Sequence, residues 1–445
     1  MAATSLKGIK GFNDILPGEV EKWQWVEAVA RRIFSGFGFQ EIRVPILEKT
    51  ELFARGIGET TDIVEKEMYT FEDRNGQLVT MRPEATASVV RAFIEHGLHV
   101  RPTMRKLYTI GPMFRHERPQ KGRYRQFHQI NVEAFGIEDP MIDAEVIYAL
   151  VAFLGELGVA DLEVHLNSLG CPLCRVPFRQ RLEEFLAGVS HLLCEDCQRR
   201  RVTNPLRIMD CKVPSCREVL AGAPKMLDFL DDQCREHFQR VQDYLKDLQV
   251  NFTLDPYMVR GLDYYVKTAF EVLARHLGAQ NAVGGGGRYD GLMKAIGGPD
   301  LPGVGFAVGM ERLIMVLGEG VGGGTPTGLC FLACLGEDAR RRGFRLVQEL
   351  RRNQVSAEMD YEGGSLKSQM RRADRLGATH VVILGEDELA RHKAILRWMA
   401  TKTQEEIPLE RIGERLTTLL RKPPTQEPGK PPEKGVDWGK PDLEL

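Results

Sequence analysis

Phe114-Arg-His-Glu-Arg-Pro-Gln-Lys-Gly-Arg-Tyr-Arg-Gln-Phe-His-Gln129 carries more positive charge than a structural turn can use. Arg115, Arg118, Lys121, Arg123 and Arg125 stand in or beside one loop, where like charges repel. Strand-like stretches flank it, Arg105 to Phe114 and Arg125 to Phe135, so the spacing predicts a β-hairpin with a long loop. For an arbitrary charged loop a solvated basic turn is the commoner case. This density of guanidinium groups suits a polyanionic ligand instead, because each group clamps phosphate oxygens in a planar fork and stacks on a purine face.

Upstream, Trp23, Val26, Val29, Ile33 and Phe37 recur at helical spacing, and Gly36 and Gly38 end the helix. A β-type run from Gln40 to Val44 follows and stops at Pro45; a second helix is expected from near Pro83 through Ala87, Val90 and Phe93. Downstream, Met141 to Gly158 reads as helix and Val164 to Leu166 as extended. From about 171 to 250 the chain is helical, charged and rich in cysteine, the mark of an insertion. Strands resume at Phe252 to Met258 and Val266 to Leu273, a glycine run spans Gly284 to Gly287, and a helix is expected to start near Phe306 and run through Val308, Leu313 and Val316.

The glycine-rich stretch from Gly320 to Gly328 reads as a domain boundary. Strands and helices alternate beyond it, in the manner of a small α/β domain. The expected organisation is a main domain over 1–322 with its insertion, a linker over 323–328, a second domain over 329–422, and a disordered Pro- and Lys/Glu-rich tail over 423–445. Charge nearly cancels overall, 60 Lys and Arg against 62 Asp and Glu, so net charge gives no argument for nucleic acid. Only 329–422 is clearly positive, with 18 Lys and Arg against 14 Asp and Glu. The first twelve residues lack the apolar segment of a secretory signal, and no apolar run approaches the ~20 residues of a membrane span, so a cytoplasmic protein is expected.

Two further stretches carry chemistry. Gly303-Val-Gly-Phe-Ala-Val-Gly-Met-Glu-Arg312-Leu sets an arginine behind closely spaced glycines, and Arg260-Gly-Leu-Asp-Tyr-Tyr265 enters a strand. Cys171-x2-Cys174 and Cys194-x2-Cys197 have the spacing of a four-cysteine zinc site, which would be structural, although reduced thiols in a helical subdomain account for them equally.

Taken together, these stretches resemble the class II aminoacyl-tRNA synthetases. Arg31 to Pro45 looks like their first motif, a helix and strand that build a dimer interface, Phe114 to Gln129 like the second and Gly303 to Leu313 like the third. Arg260 to Tyr265 and Gly285-Gly-Gly-Arg-Tyr-Asp-Gly291 are similar to segments of the histidine-specific branch and its close paralogues. Met81-Arg-Pro-Glu-Ala-Thr86 is similar too, with Ala85 where a glycine is frequent.

The resemblance implies an α+β catalytic domain with a mixed, largely antiparallel sheet, a helical insertion, and a C-terminal α/β anticodon-binding domain in a homodimer. It implies activation of L-histidine by ATP with Mg²⁺, then transfer to the 3′ end of tRNA(His). Arg115 and Arg260 would face the α-phosphate and the histidine carboxylate, Arg312 the γ-phosphate, and Arg123 with Tyr124 the nucleotide. Glu133, Tyr264 and Tyr265 would read the imidazole, while Glu84, Ala85, Thr86 and Gln129 would surround the amino end. Gln120 and Arg125 would meet the tRNA acceptor. A rival is the non-catalytic regulatory subunit of ATP phosphoribosyltransferase, a paralogue that lacks the anticodon module; the intact arginines and C-terminal module argue against it.

Overall fold

The structure, a computed structural model, describes residues 6–58, 61–101, 105–120, 122–274, 282–318 and 328–420. The described residues form two compact units, 6–318 and 328–420. The expected linker, save Gly328, and the expected disordered tail over 423–445 lie outside the described residues.

The first unit opens with α1 (Val20–Gly36), which buries Trp23, Val26, Val29, Ala30 and Phe34 along one stripe. Gly38 ends it at φ +80°, a backbone state that favours glycine. The short strands β1 (Gln40–Glu41) and β2 (Leu47–Lys49) lead to α2 (Thr50–Ile57), β3 (Tyr69–Glu72), β4 (Leu78–Met81) and α3 (Thr86–Glu95). The expected hairpin follows as β5 (Lys106–Phe114) and β6 (Gln126–Phe135), then α4 (Met141–Glu156) and β7 (Leu162–Ser168). The insertion contributes α5 (Pro172–Val189), α6 (Glu195–Thr203) and α7 (Pro214–Leu220), after which α8 (Asp232–Asp247), β8 (Phe252–Leu254), β9 (Val266–Ala274), β10 (Ala282–Arg288), α9 (Leu292–Ala295), β11 (Gly303–Gly309) and α10 (Met310–Val316) complete the unit.

Eight strands form one sheet in the order β1-β5-β6-β11-β10-β9-β7-β8. The six inner strands pair antiparallel, and the edge strands β1 and β8 pair parallel with β5 and β7. Apolar side chains of α1, α4 and α8 share one core with β6, β7 and β9 to β11. A second, antiparallel sheet, β2-β4-β3, stands beside it.

Two sequence expectations are corrected. Residues from Gly303 to Gly309, where the helix was expected to begin, form the central strand β11, and only α10 is helical. Strand is forced there by close packing: a Cβ on Gly305 would lie 2.3 Å from the Val132 carbonyl oxygen, and one on Gly286 of β10 would lie 1.9 Å from the Gly305 oxygen. The insertion also ends earlier than 250. Phe238, Val241 and Leu245 of α8 belong to the main core, whereas Cys234 in the first turn of α8 joins α5 to α7 in a separate one.

The second unit comprises β12 (Leu329–Cys334), α11 (Glu337–Arg352), β13 (Ala357–Met359), α12 (Leu366–Arg375), β14 (Ala378–Leu384), α13 (Glu386–Ala390), β15 (Lys393–Trp398), β16 (Gln404–Pro408) and α14 (Ile412–Leu420). The sheet order is β13-β12-β14-β15-β16, with parallel pairing up to β14 and antiparallel pairing beyond it. Helices α11 and α14 cover one face and α12 the other. The sequence reading did not find β16, a polar edge strand that buries only Ile407.

Candidate active site

Arg115 leaves the end of β5, and its backbone N–H donates to the Arg125 carbonyl (2.8 Å) to close the hairpin. Its Nε donates to the Pro83 oxygen (2.8 Å) and its guanidinium lies 5.2 Å from the centre of the Phe127 ring. At the tip, Gln120 and Arg123 form an isolated bridge, and Gly122 turns at φ +75° against Met315, where a Cβ would come within 2.4 Å. Arg123 pairs with Glu117 at 3.7 Å. Lys121 lies outside the described residues.

Arg312 sits in the first turn of α10, and its Nη1 reaches the Ala282 oxygen (3.4 Å). Its neighbour Glu311 fixes that turn to the sheet, because both carboxylate oxygens accept from the His128 backbone N–H (2.9 and 3.0 Å). Arg260, in the stretch between β8 and β9, pairs with Glu271 (3.1 Å) and lies 5.8 Å from the Tyr265 ring centre. Its Nε is buried without a hydrogen-bond partner. Gly285 is needed there, since a Cβ would fall 2.8 Å from the Arg260 Nη1. These three arginines, with Arg123 and Tyr124, line one cleft of about 680 Å³. Burial, joined by the Arg123 charge, pulls the Arg312 pKa below its ordinary value, and the Glu117 and Glu271 carboxylates oppose the fall without cancelling it.

The closed end of the cleft is lined by Glu84, Thr86, Gln129, Asn131, Glu133, Tyr264, Tyr265 and Tyr289. Gln129, Asn131 and Glu133 alternate along β6 and so share a face. Glu133 is buried, and its carboxyl accepts from the Thr86 hydroxyl (2.6 Å) and from the Tyr289 hydroxyl. Burial pushes its pKa up to about 8; the two hydroxyl bonds oppose the rise without cancelling it. Gly305 makes room, because a Cβ there would lie 2.1 Å from Glu133 Oε2. The side-chain oxygens of Gln129 and Asn131 are buried without partners. Glu84 is occupied otherwise: its carboxylate accepts the Thr86 (2.6 Å) and Ala87 (2.9 Å) backbone N–H groups and caps α3.

Most of the arginines and pocket residues named from sequence therefore meet in one place. Ala85 is buried behind the cleft rather than on its wall, and Gln120 and Arg125 do not line it either. The Arg125 stem packs on Gly11, and its Nε donates to the Glu117 oxygen (3.3 Å). Tyr289 and Asn131 went unassigned from sequence. The period-two run through Gln129 and Glu133 signals Asn131, and Tyr289 stands inside the glycine-rich segment already singled out.

The expected four-cysteine set of Cys171, Cys174, Cys194 and Cys197 is not brought together. Cys194 and Cys197 join Cys211 and Cys216, while Cys171 and Cys174 join Asp231 and Cys234. Spacing along the chain found the pairs, and the fold of the insertion gave each pair different partners.

Comparison with known proteins adds three findings. A family model described as histidyl-tRNA synthetase matches residues 11–172 and 195–313, and one described as an anticodon binding domain matches 329–419. Histidine–tRNA ligase of Syntrophotalea carbinolica is 55% identical over 94% of this chain and 99% of its own length; that of Geobacter sulfurreducens is 55% identical over 93% and 100%. The apo crystal structure of S. aureus histidyl-tRNA synthetase is similar with a TM-score of 0.78 at 37% identity, covering 93% of this chain and all of the other.

Proposed function

The chain belongs to the histidyl-tRNA synthetase family, and from that premise we propose a division of labour within its cleft. It is an aminoacyl-tRNA synthetase, a ligase that uses ATP to join histidine to tRNA. Its relatives carry the ligase name over nearly their full length, which sets aside the regulatory paralogue.

In the first reaction the histidine carboxylate attacks the α-phosphorus of ATP and pyrophosphate leaves. Two anions must meet and charge gathers on the phosphate oxygens, so preorganised cations lower this barrier most. We assign Arg115 and Arg260 to the α-phosphate and the carboxylate, Arg312 to the γ-phosphate and Arg123 to the nucleotide. The observation that carries this reading is the convergence of three guanidinium groups, from stretches far apart in the chain, on one cleft. At the closed end, Glu133 with Tyr264 would read the two ring nitrogens of the imidazole, one donor and one acceptor in its neutral form. The unpartnered oxygens of Gln129 and Asn131 suit the α-ammonium. Glu84 acts through its cap, by fixing Thr86.

Mg²⁺ would enter on the ATP phosphates and neutralise charge there. Among the described residues the only groups of three or more ligand atoms suited to a metal are the two cysteine clusters, and the cleft carboxylates Glu117 and Glu271 are paired with Arg123 and Arg260, so a metal there would ride on the phosphates rather than in a protein cage. In the second reaction the aminoacyl group passes to the 3′ hydroxyl of tRNA, with Gln120 and Arg125 at the acceptor end and the second unit at the anticodon. The mild basic excess of that unit supports loose phosphate contact. We place the enzyme in the cytoplasm as a homodimer. Exposed Ile46, Leu47, Phe71 and Leu78, next to the first motif and on the small sheet, support an apolar interface.

Amino-acid-dependent exchange of pyrophosphate into ATP tests the reading. Histidine alone is expected to support exchange; exchange with another amino acid, or with none, would overturn it.

A further inference from the structure

We propose that the insertion holds two tetrahedral zinc sites, one of Cys194, Cys197, Cys211 and Cys216, the other of Cys171, Cys174, Asp231 and Cys234. In each set the ligand atoms all lie within 4.8 Å of one another. Zinc–sulfur bonds of about 2.3 Å in a tetrahedron put sulfurs about 3.8 Å apart. The Cys194 and Cys211 sulfurs are 3.9 Å apart and those of Cys171 and Cys174 3.5 Å. Asp231 Oδ2 lies 3.1 Å from Cys171 Sγ, close enough to share a metal with it.

The two sites are built alike. Cys171 and Cys194 stand at the N-caps of α5 and α6, with Cys174 and Cys197 one turn in. Asp231 caps α8, accepting the Cys234 N–H (2.8 Å), and repeats the x2 spacing with Cys234. Helix N-termini favour the thiolate form that zinc requires. Backbone N–H groups also point at the sulfurs, from Cys194 to Cys216 Sγ (3.1 Å) and from Asp231 to Cys174 Sγ (3.2 Å), as the outer hydrogen bonds of metal-bound thiolates do.

A reason for metal lies in the core of the insertion. Five of its fourteen buried members are cysteines, gathered in a small satellite core rather than spread through the main one. All nine cysteines of the chain are free. Two structural metals would add their binding energy to the folding of the insertion.

The sites also bracket the catalytic segment from Arg260 to Tyr265. Between Cys197 and Cys211, Asn204 donates to both Asp263 carboxylate oxygens (3.1 Å each) and Arg207 Nη1 donates to the Arg260 carbonyl (2.9 Å). Next to Cys174, Arg175 donates to the carbonyls of Leu169 (3.1 Å) and Tyr265. The zinc sites thus hold the residues that position Arg260, a consequence that rests on the role proposed for Arg260, whereas the metal count does not.

Metal analysis and native mass spectrometry of the full chain test the proposal. Two zinc ions per chain are expected; C197S should lose one, C234S the other, and C330S, a buried thiol of the second unit, should keep both. Cobalt substituted for zinc should show thiolate-to-cobalt absorption, in a ratio near four to three between the two single-site forms. A metal-free wild-type chain, disulfides within the clusters, or one zinc lost equally in both variants would overturn it. The wild-type count decides even if a variant is insoluble. Histidine-dependent exchange measured on the same samples separates the two readings: exchange without zinc sinks only this inference, and zinc without exchange only the functional one.

Discussion

At the wide end of the cleft, among the described residues, the Arg115 and Arg312 side chains donate only to backbone carbonyls, and Arg260 pairs with Glu271 while its buried Nε has no partner. At the closed end, each oxygen of the buried Glu133 carboxyl accepts from a hydroxyl group, Thr86 on one side and Tyr289 on the other. The first end holds charge in reserve and the second suppresses it. A guanidinium cannot shed its proton, so crowding leaves it hungry for an anion, whereas a carboxyl responds to burial by keeping its proton. The wide end can therefore act on a transition state in which charge develops, and the closed end is suited to recognition of a ligand whose charge is settled.

The largest expected effect lies at the wide end. R260H should leave the fold intact and reduce histidine-dependent pyrophosphate exchange on the order of 10²–10³-fold, because the lost charge acts mainly in the transition state. The fall should appear in kcat with a lesser change in KM for either substrate. Near-normal turnover would break the contrast, since the wide end would then be no more than a binding surface.

A middle-sized effect is expected at the closed end. Y289F removes one of the two hydroxyls from the Glu133 carboxyl and leaves a buried oxygen without its partner, at a cost of about 1–3 kcal/mol. The KM for histidine should rise about tenfold while that for ATP holds. An equal rise in both would show that the two ends are not separable.

The wide end was legible in the sequence because charge density is a local signal: the arginines crowd one hairpin or follow distinctive glycines, and the family resemblance tied the stretches together. The closed end was less so. Tyr289 bears on Glu133 only because β10 and β6 flank β11, and nothing local announces that juxtaposition. Glycine likewise hid β11, since a run with alternating glycines offers no side-chain periodicity, and only the approach of Val132 and Glu133 explains why glycine is there. Helix α8 read as insertion because it adjoins the cysteines and is polar on one side, yet its apolar stripe completes the main core. The cysteine pairs were visible, but their partners depend on how α6, α7 and α8 fold back.

A pH dependence of stability, spread over several pH units, tests whether the closed end truly suppresses charge. In the ligand-free protein burial holds Glu133 at a pKa of about 8, against an ordinary 4.5. Between those values the native state keeps a proton that the unfolded chain has released, so raising the pH favours unfolding. The group's stabilising contribution is whole below pH 4.5 and disappears as the pH climbs through 8. E133Q is neutral throughout and serves as the reference. Wild-type stability relative to that variant should fall with rising pH by at most about 1.4 kcal/mol per unit and level off above pH 9. Denaturant titrations of both proteins at several pH values measure the difference, with histidine and ATP withheld. A flat difference would mean that Glu133 ionises as an ordinary carboxylate, and the two ends of the cleft would then be electrostatically alike.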